Sequence, residues 1–116
     1  MFPFFKKQTN TLLDCSAFAT DVHAHWLPGI DDGAKDLEHS IALIKALKAA
    51  GYKKLIATPH IYWDLYKNIP AIINRAFEQV KQKVDHDDID IDLHAAAEYM
   101  LDEHFNTLLN SEEPLS

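Results

Sequence analysis

The hydrophobic positions along the chain switch between helix-like and strand-like spacing from residue 21 onward. Residues 21–25 form a short run that stops before Pro28 and Gly29, as a strand that enters a loop does. From Asp36 the apolar residues recur every three or four positions, and Gly51 follows as a stop signal, which predicts an amphipathic helix. The apolar stripe of this helix is Leu37, Ile41, Ile44 and Leu47.

The same switch repeats twice further along the chain. The apolar run 55–58, halted by Pro59, predicts a strand that is buried on both faces. A second helix is predicted to begin at 68–70 and to close at the acidic segment 85–88, and strict alternation over 89–98 predicts a third strand. The expected inward stripe of the second helix is Ile69, Ile72, Ile73, Ala76, Phe77, Val80 and Val84.

Strands and helices that alternate at this spacing are typical of βαβ units, in which the strands are parallel. The predicted fold class is therefore α/β, with about three βα units. Residues 1–20 show no sustained period and are assigned to an N-terminal extension, and residues 21–116 to one domain. The carboxyl ends of parallel strands meet at one edge of a sheet, where the active sites of such folds lie.

Four side chains with metal-binding chemistry fall at these predicted strand ends. His23 and His25 would share one face of an extended strand, because alternate side chains point the same way. His60 directly follows the second strand, and Glu98 ends the third. Imidazole and carboxylate ligands together suit zinc, iron or manganese, and carboxylates can bridge two ions. The sequence therefore predicts a metal centre with hydrolytic chemistry.

Two further features near these residues leave alternatives open. Asp31 and Asp32 follow the Pro-Gly turn and can return a carboxylate to the histidines, and we expect one to be a ligand and the other a structural turn residue. Three aromatic residues after His60 fit a core, a lid or a substrate platform; they are Tyr62, Trp63 and Tyr66.

The other histidines are not expected to be ligands. His94 shares a face with Glu98 by alternation, yet a packed structural role is expected for it. The other three are expected to be ordinary exposed side chains, on a helix surface, in the acidic loop and in a polar segment after Glu98; they are His39, His86 and His104.

Composition removes several function classes. The formal net charge of −7 gives no basic surface for nucleic acid, and no apolar run is long enough for a signal peptide or a membrane span, so a cytoplasmic protein is expected. Cys15, the single cysteine, has Asp21 rather than an arginine six positions on, so it lacks the phosphate loop of cysteine-dependent phosphatases. We expect Cys15 to be a small buried hydrophobic residue. Metal-assisted hydrolysis is the chemistry that remains.

Three segments carry a resemblance to a known family. DVHAHWLPGIDDGA at 21–34, ATPH at 57–60 and AAEYMLD at 96–102 resemble, in order and spacing, the bacterial metal-dependent tyrosine-protein phosphatases of the PHP (polymerase and histidinol phosphatase) superfamily, which are linked to capsular and exopolysaccharide synthesis. The opening FPFFKK is also similar to members of this group. The resemblance implies the N-terminal portion of a distorted (β/α)7 barrel with a cluster of divalent metal ions, most often manganese, with iron or zinc as the other options.

Carried onto this sequence, the resemblance implies a role for each candidate ligand. His23 and His25 would bind one ion, Asp32 and His60 another, and Glu98 would bridge two ions. The implied reaction is hydrolysis of phosphotyrosine on a protein by direct attack of water on phosphorus, with no phosphocysteine intermediate. The implied substrate is the tyrosine-rich tail of a polysaccharide-synthesis tyrosine kinase.

One departure from the family pattern sets the remaining expectations. The ligands and phosphate-binding arginines that the family takes from later strands are absent from these 116 residues, whose only arginine is Arg75 on a predicted helix. We therefore expect an N-terminal part of the enzyme that has little activity alone and can self-associate through its open strand edges. The alternatives are another PHP phosphoesterase, such as a histidinol-phosphate phosphatase, or a truncated inactive metal-binding or interaction module.

Overall fold

A computed structural model describes residues 13–116, so most of the extension predicted for residues 1–20 lies outside the described residues. The last residues before the first strand form a turn that contains Cys15. The backbone N–H of Cys15 donates to the carbonyl of Ala50, and its side chain is buried, as predicted.

Eight helices and strands follow one another in the described residues. In chain order they are β1 (Thr20–Ala24), α1 (Leu37–Ala49), β2 (Lys54–Ala57), β3 (His60–Ile61), α2 (Pro70–His86), β4 (Asp92–Ala95), β5 (Glu98–Tyr99) and α3 (Glu103–Leu109). The first sheet has the order β1-β2-β4 and the second pairs β3 with β5, with every pair parallel. The prediction of an α/β fold with parallel strands is therefore confirmed. None of the helices in 13–116 is both long and apolar enough to cross a membrane.

Both long helices form where the sequence predicts them. Asp36 caps α1, since its carboxylate accepts the backbone N–H of His39 at 2.8 Å, and Gly51 follows the helix at a φ of 110°, a conformation that favours glycine. Pro70 occupies the start of α2, where its missing N–H costs nothing. One residue of the predicted inward stripe is wrong: Ile69 precedes the helix as its N-cap and is 43% exposed.

The hydrophobic core lies where the first sheet packs with α1 and α2. The helices contribute the central members of their predicted stripes, whereas Leu37, Leu47 and Phe77 are only partly buried and pack against the core. The buried core residues are Trp26, Leu27, Ile41, Ile44, Leu55, Ala57, Ile61, Ile73, Ala76, Val80, Val84 and Leu93.

The second strand differs from the prediction. β2 is not buried on both faces: Leu55 and Ala57 are fully buried, whereas Lys54 and Ile56 on the opposite face are partly exposed. In the described residues the helices pack against one side of the sheet, so alternate positions reach solvent.

The third predicted strand, 89–98, is also wrong as one continuous element. It splits into β4 and β5, because its partner strand is interrupted by Pro59, which has no N–H to donate to a ladder. Pairing continues past the break: the N–H of Ala96 donates to Ala57 and that of Glu98 to Pro59. β3 and β5 are thus continuations of β2 and β4 beyond the proline.

The structure differs from the predictions for His94 and His86. His94 is not a packed structural residue; about half of its side chain is exposed, and it pairs with Asp92 at 2.9 Å. This hydrogen bond lowers the pKa of the Asp92 carboxyl. His86 is highly exposed, as predicted, but it is the last residue of α2 rather than part of a loop.

We expect Leu55→Ala to destabilise the chain strongly, because the leucine is fully buried between α-helical and strand neighbours. The loss should be about 2–5 kcal/mol in the free energy of unfolding. Urea denaturation followed by circular dichroism measures it. Leu13→Ala is the matched control, since Leu13 is 74% exposed, and it should change stability by less than about 0.5 kcal/mol. Equal losses in the two variants would contradict the core described above.

Candidate metal centre

The loop after β1 folds back onto His25, which directly follows the strand. The carbonyl of His25 accepts the N–H of Ala34 at 2.9 Å, which closes the loop. Gly33 lies against the same carbonyl, where a Cβ would approach the His25 oxygen to 2.0 Å. Only glycine fits at this contact, which accounts for the glycine that follows the two aspartates.

Asp31 is the hydrogen-bonding hub of this loop, and its side chain is only 1% exposed. One carboxylate oxygen, Oδ2, lies 2.9 Å from Nδ1 of His25 and accepts the backbone N–H of His60 at 3.1 Å. The other oxygen accepts the N–H of Gly33 at 2.9 Å. Because an ionised carboxylate only accepts hydrogen bonds, Nδ1 of His25 carries the proton and the Nε2 lone pair is left free for a ligand.

Asp32 has a different environment from its neighbour. Its side chain is 65% exposed, and Oδ1 lies 3.3 Å from Nε2 of His60. The sequence leaves open which of the two aspartates is the candidate ligand. In the structure Asp31 supports the loop, whereas Asp32 faces the histidines.

Glu98 brings the histidines of different strands to one point. Its Oε2 lies 3.5 Å from Nε2 of His23, 3.3 Å from Nε2 of His25 and 3.4 Å from Nδ1 of His60. The rings of His25 and His60 lie close together, with centroids 4.5 Å apart. All five candidate ligands, Asp32 included, thus converge at the carboxyl ends of the parallel strands.

The surroundings of one Glu98 oxygen indicate that these residues suit a metal ion. Although the side chain as a whole is partly exposed, Oε2 itself is buried and has no hydrogen-bond partner within the described residues. A buried carboxylate oxygen without a partner is costly, and a cation among the surrounding nitrogens would remove that cost. The donor set of imidazoles and carboxylates suits zinc, iron or manganese.

Within residues 13–116, two groups of three residues have ligand atoms within 4.8 Å of one another. The first group is His23, His25 and Glu98, and the second is His25, Asp32 and His60. The two groups share His25, and Glu98 also faces His60 of the second group. Because only Nε2 of His25 is free, His25 can bind one ion, and the carboxylate of Glu98 is the group placed to bridge two neighbouring ions.

Two of the three aromatic residues after His60, Tyr62 and Tyr66, lie beside this centre. The ring of Tyr66 stacks on the imidazole of His60, with centroids 5.7 Å apart and planes inclined by 16°. The ring of Trp63 stacks on His104 at 3.8 Å, so His104 is not the ordinary exposed side chain that the sequence predicts.

Two supporting residues have no obvious sequence signal. Asn68 is buried, and its side-chain amide donates to the carbonyls of Ile30 and His60, which ties the two loops together. Asp102 accepts the backbone N–H of Phe105 at 2.8 Å, which caps α3 and holds the pKa of the Asp102 carboxyl below its usual range. A single aspartate three residues before an apolar residue is too common a pattern to identify this cap in advance.

Comparison with known proteins places these residues in a family. The model of the CpsB/CapC family, described as capsular polysaccharide synthesis, matches residues 19–116. Tyrosine-protein phosphatase YwqE of Bacillus subtilis is 41% identical over 69 residues, which are 60% of this chain and 27% of YwqE. Tyrosine-protein phosphatase CpsB of Streptococcus agalactiae is 31% identical over 65 residues, which are 56% of this chain and 27% of CpsB.

A solved structure is similar as well. It comes from the crystal structures of YwqE from Bacillus subtilis and CpsB from Streptococcus pneumoniae, described as unique metal-dependent tyrosine phosphatases. The TM-score is 0.71 at 33% sequence identity, over 78% of this chain and 37% of the solved one. The chain thus spans little more than a quarter of the curated relatives and about a third of the solved structure. The family match covers nearly all of the chain, and the chain belongs to the CpsB/CapC family of capsular polysaccharide synthesis.

Proposed function

We propose that these residues supply a divalent-metal centre to a protein-tyrosine phosphatase, which hydrolyses phosphotyrosine on proteins. The observation that carries the proposal is the buried Oε2 of Glu98, which faces imidazole nitrogens of three histidines and has no hydrogen-bond partner within residues 13–116. The proposed ligands are His23, His25, Asp32, His60 and Glu98.

The relatives support this reaction over the alternatives. YwqE and CpsB are named tyrosine-protein phosphatases, and the similar solved structure is described as metal-dependent. The CpsB/CapC match favours this activity over that of a histidinol-phosphate phosphatase. Because the chain covers only part of these relatives, the activity, the substrate and the partner all remain proposals.

The finer assignments belong to the same proposal. Residues 21–116 are the N-terminal part of a phosphatase domain, with about three βα units of a distorted (β/α)7 PHP barrel. Manganese is the proposed ion, and the tyrosine-rich tail of a polysaccharide-synthesis kinase is the proposed substrate. The parallel strand order and the imidazole-carboxylate donor set support these assignments.

In the proposed mechanism the chain positions its ligands before the substrate arrives. His23, His25, Asp32, His60 and Glu98 would hold the divalent ion, which would supply Lewis acidity for the activation of water and for the charge of the phosphate. Asp31 holds His25 in the tautomer that leaves Nε2 free, and it holds the backbone of His60 at the same time. The exposed side chains of His23 and Asp32 mark the side from which a phosphate can enter.

We expect Glu98→Gln to weaken manganese binding by more than about 10-fold, because the amide keeps the shape of the side chain but removes the charge at the point where the histidines meet. Isothermal titration of Mn²⁺ into the metal-free chain measures the affinity. Glu103→Gln on α3 is the matched control, since this glutamate is exposed and belongs to neither ligand group, and it should bind like the wild type. Equal affinities in all three proteins would contradict the role of Glu98.

Asp31→Asn tests positioning rather than ligation. The asparagine amide carries N–H groups where the Asp31 carboxylate accepts hydrogen bonds from the His25 ring and from the backbone of His60. A donor would then face a donor, so the His25 ring loses its orientation. The expected loss of Mn²⁺ affinity is about 10- to 100-fold. The ¹⁵N shifts of the His25 ring should also report a changed tautomer mixture, which a purely structural role would not produce. Asp90→Asn, at an exposed position, is the control, and unchanged His25 shifts in Asp31→Asn would refute this role.

We expect the phosphatase activity of the full-length protein to depend on metal and not on Cys15. The backbone N–H of Cys15 donates to Ala50 at the C-terminal end of α1, and Cys15 belongs to neither ligand group, so Cys15→Ser should leave the rate within about two-fold of the wild type. His25→Ala and excess chelator should each abolish hydrolysis of a phosphotyrosine peptide. Full activity in chelator, or its loss in the cysteine variant alone, would indicate a different mechanism.

A further inference from the structure

A cavity of about 510 Å³ opens beside the candidate metal centre. Three of the proposed ligands line it, namely Asp32, His60 and Glu98. The rest of its lining is aromatic and apolar: Tyr62, Leu65, Tyr66, Tyr99, Met100 and Leu101. We call this space the rim cavity. Its size and its combination of apolar walls with a few polar groups are those of a small-molecule site.

The apolar side chains of the rim cavity are unusually exposed. Leu65 is 66% exposed, Leu101 is 80% exposed and Met100 is 46% exposed. Large apolar side chains grouped at one place on a surface indicate a binding site more often than chance exposure does. Here the group lies next to side chains that can hold a metal ion.

Backbone hydrogen bonds hold both walls of the rim cavity in place. On one side, residues 62–66 form a tight turn, in which Tyr62 and Tyr66 exchange two N–H···O bonds, and Leu65 also donates to Tyr62. On the other side, the N–H of Met100 donates to Ile61. The backbone that carries Leu65 and Met100 is thus held in place and does not have to be ordered when a ligand binds.

Asp102 connects the two walls. While one of its oxygens caps α3, the other accepts the backbone N–H of Trp63 at 3.3 Å. The turn that carries Leu65 and the segment that carries Leu101 are therefore linked through one carboxylate.

We propose that the rim cavity binds the aromatic ring of an aryl phosphate, the phenyl ring of phosphotyrosine, and thereby selects aryl over alkyl phosphate esters. This inference rests on the proposed function, in which the phosphate lies at the metal centre. A ligand that joins a dianionic phosphate to a flat apolar ring matches a cavity whose lining joins metal ligands to aromatic and apolar groups. The ring of Tyr66, nearly parallel to the His60 imidazole, continues from the centre into the cavity wall.

A flat wall favours an aryl group over an alkyl group of the same charge. Aromatic rings stack or pack edge to face with tyrosine side chains and gain free energy beyond the area they bury. An alkyl phosphate would reach the same centre but leave the tyrosine and leucine surfaces in water. Of the three aromatic residues after His60, which by sequence fit a core, a lid or a platform, Tyr62 and Tyr66 are thus assigned to a substrate platform, whereas Trp63 packs on His104.

Binding of non-hydrolysable analogues tests the rim cavity without turnover. The manganese-loaded chain is titrated calorimetrically with benzylphosphonate, with ethylphosphonate and with inorganic phosphate. We expect benzylphosphonate to bind about 5- to 10-fold more tightly than ethylphosphonate. In the double variant Leu65→Ser/Leu101→Ser the two phosphonates should bind equally, while the affinity for inorganic phosphate changes by less than about two-fold.

Both leucines are exposed, so the double variant should fold like the wild type. Leu109→Ser is the matched control, because Leu109 is 56% exposed on α3 and does not line the rim cavity, and it should keep the preference for the aryl ligand.

Each of the other possible outcomes contradicts a different part of the proposal. Binding of phosphate with no preference for benzylphosphonate would overturn the ring site and leave the metal centre standing. Failure to bind phosphate at all would overturn both. If the wild-type chain shows no preference and the double variant instead abolishes self-association in sedimentation, the exposed leucines form an interface between copies, and the ring site is wrong.

Discussion

The carboxylate of Asp31 is the interaction on which the arrangement of the centre depends. It joins a histidine at the end of β1 to the backbone of β3, and it closes its own loop through Gly33. Since this carboxylate is almost fully buried, each of its hydrogen bonds is made in a poorly solvated place and is correspondingly strong. The positions of His25 and His60 are therefore coupled, although 34 residues separate them in the sequence.

The second requirement is that the strands continue beyond Pro59. A proline inside a ladder normally ends it, but here both members of the pair resume together as β3 and β5. This places His60 directly opposite Glu98 in parallel register. The strands that resume beyond the proline thus carry both ligands to the place where His23 and His25 lie.

Much of the frame can be predicted from the sequence, because period, caps and breakers are local signals. The two long helices and the parallel strands follow from these signals, and the convergence of His23, His25, His60 and Glu98 follows from their positions at strand ends. Asp32 lies in a loop, and the local pattern does not distinguish it from Asp31 as the ligand. The division of 89–98 could not be predicted, because it depends on the partner strand. The exposure of His94 and the stacking of His104 on Trp63 depend on contacts between distant segments. Helix α3 is only seven residues long and has no sustained apolar period.

The centre is unevenly enclosed. His25 and His60 lie on its sheltered side, whereas His23 and Asp32 are about two-thirds exposed on the other. An ion held between them would leave and enter through the exposed side without any opening of the fold. Metal exchange would then be fast relative to unfolding, and the identity of the bound metal would follow the ions supplied by the surroundings rather than those present when the chain folded.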